Sequence, residues 1–118
     1  MFRHQLAGIQ LVKGTVEPSE SPADAARREI FEESGLDTKQ PLFFIGKNTR
    51  MVCGQIWYFY HLYLLYKRNQ WIHFAPDDGA IELQCFWLAL QAPPPDCGAL
   101  YAHVLNYARP QLLKQLEL

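Results

Sequence analysis

Glu29, Glu32 and Glu33 stand at i, i+3 and i+4 of one segment. On a helix that spacing lines three carboxylates along a single stripe. Like charges so placed oppose helix formation by a few tenths of a kcal/mol per pair. They would also sit at a helix end whose dipole prefers cations. Such a ridge calls for counter-charge. Arg28 reaches Glu32 at i+4 but cannot neutralise the cluster. Two readings stand side by side: a solvated acidic face, or an oxygen-only site of the kind that hard divalent cations such as Mg²⁺ select.

The element that must carry these groups is well specified. Ser21 is an N-cap, Pro22 takes the first helical position and Asp24 the third, where its charge suits the positive helix end. Alanines and arginines with high helix propensity follow, and Gly35 with Leu36 makes a Schellman-type stop. The spacing predicts a helix over 22–34, with Ala23, Ala26 and Ile30 toward the core. Glu20 precedes that helix, and Gly14 opens the loop leading into it.

Taken together, Gly14, Glu20, Arg28, Glu29, Ile30, Glu32, Glu33, Gly35 and Leu36 form G-x5-E-x7-R-E-U-x-E-E-x-G-U, where U is a bulky aliphatic. This resembles the signature of the Nudix hydrolases at every specified position. At residue frequencies of roughly 5–8%, chance agreement in one window is on the order of 10⁻⁸ or less. The resemblance implies an α/β fold: a Nudix-like α/β/α sandwich with a mixed β-sheet between helices. It is expected to be N-terminally abbreviated here, with the family's earlier strands missing from the thirteen residues ahead of the loop. A sheet left incomplete has an unpaired edge that recruits strands from other molecules, so a homodimer is expected.

The resemblance also implies a reaction, the cleavage of a pyrophosphate linkage in a nucleoside diphosphate joined to another group. Mg²⁺, with Mn²⁺ as a substitute, would be held by Glu29, Glu32 and Glu33 and by the main-chain carbonyl of Lys13 or Gly14. Glu29 is the member of the ridge best suited to assist deprotonation of water. Arg28 and Glu20 would pair and hold the helix against the loop, which makes Arg28, Glu20 and Gly14 structural parts of the site. Glu82 is the candidate for the further acid that many members supply from a later strand, with Asp77 and Asp78 as alternatives. The loop Lys13–Pro18 is similar to that of dinucleoside polyphosphate hydrolases and of some (d)NTP pyrophosphatases. The alternatives are a catalytically silent nucleotide-binding or regulatory module, and a truncated fragment.

Composition narrows the remaining classes. A chain of 118 residues, 49% apolar and 19% charged, is expected to be one globular domain, 1–118, with the signature box at 14–36. A net charge of −1 without a basic run argues against a nucleic-acid polymer as partner. The longest apolar run, Ile56–Tyr66, contains His61 and is too short to span a bilayer, so no membrane association is expected. Cys53, Cys85 and Cys97 lack the paired spacing of zinc sites and read as buried free thiols in a reducing cytoplasm.

The rest of the chain predicts strands at 41–45, at 51–66 (covered on both faces, forming a hairpin with 71–74) and at 81–90. Helical spacing resumes from Gly98, with Pro110 set to kink or end that helix.

Overall fold

A computed structural model describes residues 1–37, 39–66, 68–76 and 80–116. Helix α1 (Pro22–Ser34) forms where its local signals place it. Ser21 is extended, and its Oγ accepts the Asp24 N–H at 3.1 Å. Gly35 stops the helix in the left-handed region at φ 73°, a conformation that glycine adopts without a Cβ clash. The predicted inward face differs. Ala25 and Ser34 are the buried positions, while Ala23, Ala26 and Ile30 are half-buried. At about 100° per residue, positions 25 and 34 lie half a turn out of phase, so α1 is covered from two directions.

The described residues include six strands: β1 (Phe2–His4), β2 (Gly8–Gln10), β3 (Leu42–Asn48), β4 (Trp57–Leu62), β5 (Gln70–Ala75) and β6 (Ile81–Phe86). They form a four-stranded sheet in the order β2-β1-β6-β5 and a separate β3-β4 pair. The architecture is the expected layered α/β fold; the resemblance implies a mixed sheet, and every pairing among the described residues is antiparallel. The predicted hairpin also resolves differently. β4 turns back on β3, and β5 pairs with β6, because strand partners are chosen by non-local packing. A bulge between Phe44 and Gly46 carries β3 past its predicted end to Asn48.

The first residues hold more structure than expected. Two three-residue strands make a hairpin there, and β1 sits between β2 and β6. Phe2, Cys85 and Trp71 fall in one cross-strand row. Phe2, Ala75, Leu83 and Cys85 form the core cluster, with Val12, Trp71 and Ile81 packed on it, and α1 lies over β5 and β6.

Helix α2 (Gly98–Leu116) packs on β3. It runs through Pro110 rather than stopping there. Contacts on either side of the proline hold it: Tyr107 Oη donates to the Lys47 carbonyl at 3.4 Å, and Gln115 Nε2 to the Phe44 carbonyl at 2.9 Å. The β3-β4 pair is not covered on both faces, for Phe43, Phe44 and Tyr58 are exposed. Of the three cysteines, all free, Cys85 and Cys97 are buried and Cys53 is exposed, contrary to expectation. Among the described residues no helix is long and apolar enough to cross a membrane.

Candidate active site

The loop before α1 is tied to the helix at three places. Arg28 makes the first. Its Nε and Nη2 donate to the two Glu20 carboxylate oxygens at 2.8 and 3.0 Å, a bidentate fork. Nη2 also meets the Thr15 carbonyl at 2.9 Å. Hydrogen bonding to Arg28 holds the Glu20 carboxyl below its ordinary range, and the Glu20 and Glu29 carboxylates push the guanidinium pKa up. The second tie is at Gly14, where any Cβ would run into the Glu29 carboxyl group. The third is the Lys13 N–H, which donates to Glu33 Oε1 at 3.0 Å. Arg28 thus pairs with Glu20, and Gly14 lies against the helix at Glu29.

Glu29, Glu32 and Glu33 line one cavity of about 170 Å³, together with Phe2, His4, Gln10, Ala75, Ile81 and Leu83. Burial pushes the Glu33 carboxyl up to about 7; the Lys13 amide opposes that shift, and the charges of Glu29 and Glu32 add to it. Arg28 Nη1 reaches across the ridge to Glu29 Oε1 at 2.7 Å and Glu32 Oε2 at 3.2 Å. Among the described residues no three His, Cys, Asp or Glu side chains are already gathered as a metal cluster. The donor set nevertheless fits a hard divalent ion. All three side chains offer carboxylate oxygen, all face one space, and that space has room for an ion with its waters.

Glu82 does not join the three. It lines a neighbouring cavity of about 410 Å³ with His4, Gln5 and Phe74, and Glu82 Oε2 accepts from Gln5 Nε2 at 3.3 Å. Asp77 and Asp78 lie outside the described residues. Sequence reasoning missed two main-chain groups, the Lys13 N–H and the Thr15 carbonyl, which no residue type advertises. It also left His73 unassigned, although the ring reaches the Glu32 carbonyl.

The family model of the NUDIX domain matches residues 2–105. The chain belongs to the Nudix family and is a Nudix hydrolase, an enzyme class acting on phosphoric anhydride bonds. Comparisons with curated proteins and with solved structures gave no match.

Proposed function

We propose that this protein is a Mg²⁺-dependent pyrophosphohydrolase that cleaves a nucleoside diphosphate linked to another moiety, a (d)NTP or a dinucleoside polyphosphate, by attack of water on phosphorus. One observation carries the reading: Glu29, Glu32 and Glu33 face a single cavity beside a loop pinned by Arg28. These three carboxylates would hold the ion, with the main chain at Lys13 or Gly14 beside them. When bound, Mg²⁺ supplies positive charge that offsets the diphosphate and lowers the pKa of water. The absence of a side chain at Gly14 lets Glu29 come up against the loop, and to Glu29 we assign acceptance of the proton from the attacking water. Were Nη1 to give up Glu29 and Glu32 to an ion, the contacts to Glu20 and Thr15 would still hold Arg28 in place.

A second reading draws on that same Nη1 contact. A guanidinium that already answers two of three carboxylates favours a catalytically silent nucleotide-binding module. The two readings part in one assay, product release from a nucleotide panel with Mg²⁺ or with EDTA. Turnover that needs Mg²⁺ and collapses in Glu33→Gln supports the enzyme. Binding without turnover supports the module.

We also take residues 1–118 as one domain that assembles as a homodimer. Supporting this are the edges of the β3-β4 pair, which no other strand joins among the described residues, and the exposed Phe43, Phe44 and Tyr63 beside them. The free cysteines fit a reducing cytoplasm.

A further inference from the structure

The last four carbonyls of an α-helix have no partner within it. In α1 these belong to Phe31, Glu32, Glu33 and Ser34, and each has found a donor. The Gly35 N–H meets the Phe31 carbonyl at 2.9 Å. His73 Nε2 meets Glu32 at 2.9 Å, Cys85 Sγ meets Glu33 at 3.7 Å, and Trp71 Nε1 meets Ser34 at 2.8 Å. A carbonyl only accepts, so the His73 proton is on Nε2.

Three of these four donors come from β5 and β6. Trp71 and Cys85 are cross-strand partners, and His73 is the next residue of β5 on the same face. Their targets include the carbonyls of Glu32 and Glu33 themselves, whose carboxylates line the cavity. The last turn of α1 contains no basic residue, so donors from the sheet answer its negative end. Gly35 is part of the arrangement. A Cβ there would lie 2.7 Å from His73 Nδ1 and would push the ring off its carbonyl.

We propose that His73, supported by Trp71 and Cys85, is a positioning residue: it fixes the last turn of α1 and so aims the Glu32 and Glu33 carboxylates into the cavity. The proposal rests on the metal-site reading given above. His73 leads because it holds the carbonyl of a ridge residue directly, whereas a thiol is a weak donor and Trp71 grips Ser34, beyond the ridge.

The test compares His73→Ala, His73→Gln (which keeps an N–H donor) and Trp71→Phe with wild type. Three quantities are read: Mn²⁺ affinity by electron paramagnetic resonance, backbone amide exchange in metal-free protein, and kcat apart from KM. Removing a group that orients a metal ligand typically weakens metal affinity or activity about 10–100-fold. His73→Ala is expected to weaken Mn²⁺ binding about tenfold and to lower kcat with KM within about twofold. Amide exchange should quicken at residues 32–36 while residues 25–28 keep their protection. His73→Gln should recover most of each loss, and Trp71→Phe should show the same pattern more weakly.

The proposal is overturned if His73→Ala leaves Mn²⁺ affinity and last-turn exchange at wild-type values, or if His73→Gln is as impaired as His73→Ala. Exchange that quickens evenly along the helix also overturns it, since that marks general support of the fold. Wild-type protein that binds no Mn²⁺ refutes the metal-site reading and this proposal together. Wild-type binding with an indifferent His73→Ala refutes the proposal alone.

Discussion

Gly14→Ala should separate stability from turnover. Gly14 is not among the glycines in the left-handed region, so alanine meets no conformational penalty there. Its Cβ, however, would fall within 3.0 Å of Glu29 Cγ, Cδ and Oε1, closer than real Cβ atoms come to other groups. Those atoms are the far end of a flexible side chain, so the carboxylate swings away and the fold survives. The required shift is about 1 Å, and misplacement on that scale costs about 10²-fold in rate. Stability moves little. Replacing glycine where alanine is tolerated stabilises by about 0.4–1 kcal/mol through the unfolded chain. The weakened Arg28–Glu29 pair, half-buried, offsets that by about 0.2–1 kcal/mol. Steady-state kinetics beside thermal melts should therefore show kcat/KM down about 10²-fold with Tm within about 5 °C of wild type. A double variant with Glu29→Ala sharpens the result. If the added methyl group acts only by moving Glu29, the double variant is no slower than Glu29→Ala alone. Wild-type kcat/KM in Gly14→Ala, or losses that multiply in the double variant, would refute the reasoning.

Arg28→Lys should not rescue Arg28→Ala, because one ammonium cannot reproduce the fork to Glu20 together with the Thr15 contact; melting curves and kcat/KM of the two variants decide it. Glu33 gives a pH signature in metal-free protein. Its folded pKa of about 7 lies above the ordinary 4.5, so the folded chain keeps a proton that the unfolded chain releases between those values. Its share of stability is complete below pH 4.5 and is lost as pH rises through 7. Tm of wild type relative to Glu33→Gln should fall across that window, and a flat difference would contradict it. Saturating Mg²⁺ at about 100 times its Kd should stabilise wild type by about 2.7 kcal/mol and leave Glu33→Gln nearly unmoved, as scanning calorimetry can read. Light scattering should return twice the 13.7 kDa chain mass, and a single-chain mass would remove the dimer.

What was legible in the sequence was local. Ser21, Pro22 and Gly35 state the ends of α1 through the hydrogen bonds they make within a few residues, and the structure keeps those ends. The spacing of Glu29, Glu32 and Glu33 likewise requires only a helix to bring them to one cavity. Strand partners were not legible. Trp57–Leu62 and Gln70–Ala75 are both apolar and β-branched or aromatic enough to pair with several neighbours, and tertiary packing chose β3 for one and β6 for the other. Phe2–His4 is too short to show a period, and only its place between β2 and β6 makes it a strand. Glu82 shared a residue type with the ridge but not its cavity, a distinction that exists only in three dimensions. The reach of Arg28 Nη1 onto Glu29 as well as Glu32 also exceeded the i, i+4 pairing that helical spacing suggests.

Crystals soaked in Mn²⁺ and measured at its absorption edge test the central claim most directly. The account predicts an anomalous peak in the cavity, bound by carboxylate oxygens of Glu29, Glu32 and Glu33. Arg28 Nη1 would have left the ridge while its fork on Glu20 stayed closed. A ridge without a peak, its Glu29 and Glu32 carboxylates still bridged by Arg28, would contradict it.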